Sequence, residues 1–573
     1  MADHSHNKGS VSYYNRLISG MDVERESFIS HYKDLQEFIS PRRGRFFEED
    51  RSKGTKRHQS IINSAATQAL RVATAGMLNG TMSPSRPWFS LETFNPDIME
   101  DAEVRDWLYK SELIIRSILN QSNFYNMAPV FLKELLMFGT SVMTHVDDFK
   151  DVARFYTHTA GSYYLGQNDR LEIDTIARKF EWPVIQIIKK FGLGKVTRPI
   201  KEAYDKGNYS QWYPICHIIE PNESAKTRSQ FNIDKAYTSK YWEPGADGLN
   251  SSLGGSNSIA QNKFLSEGGF DKFPAYAVRW DVTEGDIYGT DCPGMTALGD
   301  VKHLQIEEKR KAQAIDKMVN PPLTGPPSAR NVAVSGLAGG LTIYEGDDQK
   351  QKLSPIYTVD PRLQELRLDM DAVERRIANA FFVDLFLAIS NMEGIQPRNQ
   401  LDLSQRNEER LVQLGPVLER LHGEFLNAMV DRCFEQAAKA EILPPAPEVL
   451  QGSPLKIRFI STLAMAQRSI VTSDIERLSS FVVGLAEANP TVLDKVDFDQ
   501  SVDEYSRAIG IPPKMVRDDQ VVAEIREQRA QEQQRAQQMA MAQQVAETAK
   551  TASETSTEGG SVLSEGAKAL SSG

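Results

Sequence analysis

Two apolar stripes at helical spacing, separated by a loop, organise the second half of the chain. Leu363, Leu366, Met370, Val373 and Ile377, continued by Ala380 and then Leu385, recur mostly every three or four residues. That period places side chains on one face of a helix and predicts a helix over 361–388. Asp360 is suited to its N-cap and Pro361 to its first turn. A second stripe, Leu411, Leu414, Leu418, Leu421, Phe425 and Met429, predicts a helix over 404–441. Gly415 and Pro416 fall inside it, and a proline there removes a backbone hydrogen bond and bends the helix. The run Ser390-Asn391-Met392-Glu393-Gly394-Ile395-Gln396-Pro397-Arg398-Asn399-Gln400 between the stripes has no helical period and reads as a loop.

The same reading along the chain predicts helices over 11–39, 59–82, 99–121, 125–139, 182–191 and 295–319. It predicts strands over 88–91, 141–146 and within 152–165, and β-structure across 228–284 with a loop at 245–256. Residues 320–360 form a small module between two helices, with Pro326-Pro327, Gly339-Gly340 and a strand-like Leu341-Thr342-Ile343-Tyr344. Pro444-Pro445-Ala446-Pro447 is a break, followed by a strand at 456–460 and helices such as Ser473–Leu485. Residues 518–549 form a polar helix whose thin seam of Val521, Val522, Ile525, Met539 and Met541 needs another chain or further copies to cover it. Residues 550–573, rich in Ser, Gly, Thr and Glu, are expected to be disordered. The fold class is α+β, mainly helical.

Composition narrows the function. At 573 residues, 40% hydrophobic and 25% charged, the chain is long enough for several domains and has the balance of a soluble globular protein. A net charge of −11 argues against a broad phosphate-gripping surface, though not against passing contact with DNA. No stretch reaches the roughly 18 apolar residues of a membrane helix. The start, Met1-Ala2-Asp3-His4-Ser5-His6, has no signal-peptide character, so synthesis in the cytoplasm is expected. Cys216, Cys292 and Cys433 are far apart and odd in number, as reduced, buried thiols would be.

Motifs of covalent chemistry are missing. Gly192-Leu193-Gly194-Lys195 lacks the spacing of a phosphate-binding loop. No paired cysteine site, no His-Glu-x-x-His and no Gly-x-Ser-x-Gly is present. Glu48-Glu49-Asp50 and Asp147-Asp148 are acidic runs of the kind that hold magnesium in nucleases, but in an acidic chain they read as surface. Arg42-Arg43-Gly44-Arg45 beside Phe46-Phe47 is a candidate nucleic-acid contact or, more simply, a loop between subunits. No catalytic, cofactor or metal site is assigned.

Several short stretches, taken in order, resemble the portal proteins of short-tailed bacteriophages, which connect head to tail. They are Phe38-Ile39-Ser40-Pro41-Arg42-Arg43-Gly44-Arg45-Phe46, Ala73-Thr74-Ala75-Gly76-Met77-Leu78-Asn79-Gly80, Ser83-Pro84-Ser85-Arg86-Pro87-Trp88-Phe89-Ser90-Leu91, Ser122-Asn123-Phe124-Tyr125 and Phe138-Gly139-Thr140. The resemblance spans residues 10–530. It implies a ring, usually of twelve copies, around a channel for double-stranded DNA. It assigns residues 1–290 to a wing, 291–319 and 361–388 to stem helices, 320–360 to a clip and 389–403 to a tunnel loop. It assigns 404–442 to a kinked wing helix, 443–517 to a crown, 518–549 to a barrel helix and 550–573 to a disordered tail. Gln396, Arg398, Asn399 and Gln400 would then face DNA, and Leu363, Leu366, Met370, Val373 and Ile377 would pack between copies. Gly415 and Pro416 would bend the helix away from the channel. The implied partners are the terminase large subunit, transiently, then a tail adaptor, the major capsid and scaffolding proteins, and internal core or ejection proteins. The implied location is the capsid vertex at the head–tail junction, with no membrane partner. A non-viral helical ring adaptor and a subunit of a DNA-processing enzyme remain alternatives on sequence alone.

Overall fold

Ser10 opens the first helix, α1 (Val11–Phe38), its hydroxyl accepting from the Tyr13 N–H at 3.2 Å. The computed structural model describes residues 10–46, 56–57, 59–99, 101–226, 231–244, 264–319, 321, 323–324, 354–355, 363–391, 413–450, 454–461, 463, 478–486, 492, 495–509, 516–517 and 519–554. The chain divides into two compact units. The first comprises Met1–Leu91, Lys110–Pro445 and Ile457–Leu478, and the second Glu92–Tyr109, Ala446–Lys456 and Ser479–Gly573.

After α1 come α2 (Ala65–Thr81), β1 (Phe89–Thr93), α3 (Pro96–Met99), α4 (Ala102–Gln121) and α5 (Phe124–Phe138). The expected helix over 59–82 starts six residues late. Asn63 Oδ1 accepts from the Ala65 N–H at 2.8 Å, and Gln305 Oε1 accepts from the Ile62 and Asn63 N–H groups at 2.7 and 2.8 Å. These bonds hold 62–63 out of the helix. At the start of α5 two residues divide the capping work. Ser122 Oγ accepts from the Phe124 N–H at 3.2 Å. Asn123 turns to β3 (Val152–His158), exchanging bonds of 2.7 and 2.9 Å with the Phe155 backbone.

Two antiparallel sheets follow. The smaller has the order β3-β2-β9, with β2 (Thr140–Asp148) and β9 (Ala275–Arg279). The larger runs β4 (Tyr163–Gln167), β5 (Ile173–Pro183), β6 (Trp212–Pro221), β7 (Tyr237–Trp242) and β8 (Ser266–Phe270). Between β5 and β6 lie α6 (Val184–Phe191) and α7 (Arg198–Asp205). Register separates the faces of the larger sheet by the two-residue period of a strand. Tyr164, Ala177 and Ile218 align across one face and are buried with Val11, Tyr14 and Ile18 of α1. Leu165, Ile176 and Ile219 align on the other and are buried with Val142, Ala275 and Ala277 of the smaller sheet. Each such aliphatic side chain contributes roughly 1.5–3 kcal/mol on burial. Strand β5 has no counterpart in the sequence pattern, since Ile173–Pro183 alternates poorly between apolar and polar.

Helix α8 (Pro293–Val319) leads through β10 (Leu323–Thr324) and β11 (Ser354–Pro355) to α9 (Leu363–Ala380). Only those short strands of the expected 320–360 module, with Pro321, are described. The predicted single helix over 361–388 is two helices, α9 and α10 (Val383–Asn391). Phe382 breaks it with a φ of 55°, the left-handed region that ends a helix. The break redirects Phe386 onto α2, where a Cβ on Gly76 would lie 2.3 Å from the Phe386 Cβ. Residues 413–421 are helical, His422–Leu426 form a π turn, and Asn427–Lys439 continue as α-helix. In the second unit, Phe498–Ile509 and Asp519–Glu554 are helical. The latter continues through 550–554, which were expected to be disordered, because Ala-rich helix-forming sequence runs on without a Gly or Pro.

Candidate functional site

The feature most exposed to function is the hairpin α8/α9. Its base is locked. Gln305 clasps the 62–63 backbone and also donates to Asn63 O at 2.8 Å, and Asn63 donates to Glu374 of α9 at 2.8 Å. Arg376 of α9 pairs with Asp300 of α8 at 3.0 Å. The apolar stripe lies in this packed part. Met370, Val373 and Ile377 are only 4, 0 and 0% exposed within a single chain, with α9 packed against α8 and α2. The sequence assigned them to packing between copies. Leu366 is half-buried, and the Leu363 side chain lies outside the described residues.

The distal part of the hairpin is different. Ile306, Ile315, Met318 and Val319 of α8 and Leu368 of α9 are exposed. Between base and tip sits a buried carboxylate. Glu307 is 8% exposed, its Oε2 has no hydrogen-bond partner, and its Oε1 lies 3.4 Å from His303 Nε2. Burial raises its carboxyl above the usual range, and Asp369 across the hairpin raises it further.

Gln396, Arg398, Asn399 and Gln400 lie outside the described residues. Gly415 and Pro416 lie within the helical run 413–421. The irregularity found downstream is the π turn His422–Leu426, which no sequence signal pointed to. It sets Glu424 to accept from both the Arg279 N–H at 3.0 Å and the Arg279 guanidinium at 2.8 Å, while His422 stacks on Phe459 with centroids 4.1 Å apart. π turns concentrate at such special positions.

The arginine loop is built in. Gly44 N–H donates to Thr159 Oγ1 at 2.9 Å and Arg45 N–H to Ala160 O at 2.9 Å. Arg43 lies 3.9 Å from the buried Glu134, which also accepts from Thr159 Oγ1 and the Ala160 N–H. Arg42 and Arg45 are exposed.

Chemistry-bearing groups elsewhere are held quiet. Tyr276 OH, His145, Gln436, Asp147 and Arg432 form a chain of polar contacts, His145 bonding Tyr276 and Gln436 at 2.8 Å each. Burial, with Arg432 nearby, lowers the His145 ring to about 3. Asp147, Arg432, Gln436, Lys235, Asp271 and Lys439 line a polar pocket of about 200 Å³, in which Asp271 bridges the two lysines. The three cysteines are free and buried, and burial pushes their thiols up to about 12, far from the reactive thiolate. Among the described residues no group of three or more His, Cys, Asp or Glu is placed to hold a metal ion. Among them, too, no helix is long and apolar enough to cross a membrane.

Comparison with known proteins bears on nearly the whole chain. Residues 12–516 match the family described as bacteriophage head to tail connecting protein. The chain is 39% identical over 548 residues to the portal protein of Salmonella phage epsilon15, covering 96% of each chain. It is 37% identical over 572 residues to the probable portal protein of Bordetella phage BPP-1, covering 100% of each.

Proposed function

The chain belongs to the family of bacteriophage head-to-tail connecting proteins, and from that premise we infer how its parts serve a phage portal. A portal is a component of the virion that joins head to tail. The match over full length to two phage portal proteins is the observation that carries this reading.

Copies of this chain assemble as a ring, of twelve copies in our proposal, at one capsid vertex, with double-stranded DNA entering and later leaving through the central channel. Residues 1–290 form the wing, α8 and α9 the stem, 320–360 the clip, 389–403 the tunnel loop, 443–517 the crown and 518–549 the barrel. The clip receives the terminase during packaging and the tail adaptor afterwards, and the wing meets capsid, scaffolding and internal core proteins. The apolar stripe Met370, Val373 and Ile377 fixes the fold of each subunit. The exposed Ile306, Ile315, Met318, Val319 and Leu368 supply contacts between neighbouring stems, where large apolar side chains are otherwise costly. The bend at Gly415 and Pro416 takes its helix off the channel wall, and Arg398, flanked by Gln396, Asn399 and Gln400, contributes one positive charge per subunit to a circle around the DNA. The role is mechanical, with binding and guidance in place of bond-making.

Electron microscopy of the purified protein tests the ring: annular particles with a central hole are expected, and a compact monomer would overturn the reading. For the loop, Arg398→Ala is expected to lower DNA retention in filled heads; normal packaging and full heads would remove Arg398 from the DNA path.

A further inference from the structure

The insertion between β5 and β6 differs in charge from the chain that carries it. Residues 184–211 hold Lys189, Lys190, Lys195, Arg198, Lys201 and Lys206 against Glu202 and Asp205, a net charge of +4 in a chain of −11. The fold puts that charge outside. Val184, Ile187, Phe191, Ile200 and Ala203 of α6 and α7 are buried with Val196 and Ile215 in one apolar cluster, so the polar faces of both helices turn to solvent. Lys189, Lys190, Lys195 and Lys206 are exposed and Lys201 is half-exposed.

What sets these lysines apart is the lack of an ion pair among the described residues. Arg198 is engaged by Glu202 at 2.6 Å. The five lysines make no salt bridge among the described residues, whereas Lys226, Lys235, Lys302 and Lys439 each pair with an aspartate. Lys190 instead rests over aromatic rings, its Nζ 4.3 Å from the Tyr241 centroid and 4.8 Å from that of Trp182. A ring face attracts the cation without cancelling its charge. Arg178 of β5, its guanidinium 4.9 Å over Phe180 and with no carboxylate paired to it among the described residues, is largely buried and is not part of the exposed surface. Tyr209 and Trp212 at the end of the insertion are 47 and 50% exposed.

We propose that this insertion is a docking surface for the phosphate backbone of duplex DNA, bound without regard to sequence. Lys189, Lys195, Lys201 and Lys206, on α6, α7 and the loops that follow them, are point charges on flexible stems, suited to a regular row of phosphates, and Lys190 adds its charge from its seat over the rings. The one arginine, which could read a base edge in bidentate fashion, is already held by Glu202. An acidic protein partner would be matched by fixed, directed pairs, and none is prepared here. The proposal rests on the portal reading for the presence of DNA, and it names a DNA-binding surface other than the tunnel loop.

The test uses assembled rings and a fluorescein-labelled duplex of about 30 base pairs, followed by anisotropy from about 50 to 200 mM NaCl. Replacing Lys189, Lys190, Lys195, Lys201 and Lys206 together by Gln is expected to weaken binding at least tenfold. It is also expected to flatten the log–log salt slope by about 0.9 for every phosphate that is no longer neutralised. The pair Lys195→Gln and Lys206→Gln, both on exposed loop-side positions, gives a smaller change of the same sign and covers the case in which the fivefold variant folds poorly. Wild-type affinity and slope in both variants, or competition by polyglutamate as effective as by unlabelled duplex, would overturn the proposal. Ring formation in the microscope is unaffected in either case, so failure here is distinguishable from failure of the portal reading.

Discussion

His145, His158 and His217 are each less than 9% exposed and bonded to neutral partners, among them Tyr276, Thr144 and Ser239 at 2.8, 2.9 and 3.0 Å. Burial lowers all three rings below their usual value, with Arg432 adding to the effect on His145 and Arg178 on His158 and His217. The unfolded chain takes up these protons near pH 6.5 and the folded chain does not. The stabilisation is therefore complete above about pH 6.5 and is lost as pH falls, by about 1.4 kcal/mol per pH unit for each ring. Glu134, Glu220 and Glu243 oppose it, since burial raises their carboxyls and makes the folded state bind protons more readily. The readout is thus a difference. Urea unfolding of His217→Gln is expected to show a shallower loss of stability than wild type between pH 6 and 5, and parallel curves would contradict the argument. Gly161 gives a second expectation. Its φ is 87°, and an added Cβ would lie 2.5 Å from Arg45 O. Gly161→Ala is expected to cost roughly 2 kcal/mol, read as a lowered urea midpoint, by lifting the 42–46 loop from the turn at 159–162. Neither effect was legible in the sequence. A histidine's partners come from strands far apart in the chain, and nothing in Arg42-Arg43-Gly44-Arg45 says that its backbone, rather than its charge, is what the protein uses.

At the scale of elements, periodic helices were the readable part. The ends of α1 and α5 fall within a residue of expectation, because Ser10, Ser122 and Gly139 act locally. The misreadings share a cause. The break at Phe382 leaves the apolar spacing nearly intact, since Phe381, Leu385 and Phe386 are buried on both sides of it, and only the space at Gly76 requires it. The late start of α2 is set by Gln305, more than two hundred residues away. The stripe Met370, Val373 and Ile377 is buried in a single chain, and a period cannot say whether the covering surface belongs to the same chain or to another. Glu307 yields an expectation for the hairpin. Its raised carboxyl makes it stabilising while protonated and costly once ionised, so its contribution falls as pH rises through its folded value. Glu307→Gln is expected to raise the melting temperature at pH 8 more than at pH 5. Equal shifts at both values would show that burial and Asp369 do not hold the Glu307 carboxyl above its usual range.

For the molecule as a whole, the C-terminal helix Asp519–Glu554 poses the sharpest question of what a single chain can hold. Val521, Met539, Met541 and Val545 are exposed along it, and Arg526 pairs with Asp499 at 2.6 Å through side chains that are themselves exposed. A surface ion pair of that kind, screened by water and salt, adds little, and propensity alone leaves a polar helix fraying and reforming in water. Apolar residues this sparse gain little in a lone subunit, but in the proposed ring they would meet their own copies, as the seams of a coiled coil do. The helix is then a property of the assembly rather than of the chain. Hydrogen exchange separates the two cases. Amides of 521–550 are expected to exchange rapidly in dilute monomer and to be protected by an order of magnitude or more in rings, while the strands of the large sheet are protected equally in both. Replacing Met539 and Met541 by Gln should remove the added protection without altering the sheet. Protection of 521–550 that is already complete in the monomer would mean that the helix stands by itself, and its thin apolar seam would then need no neighbour.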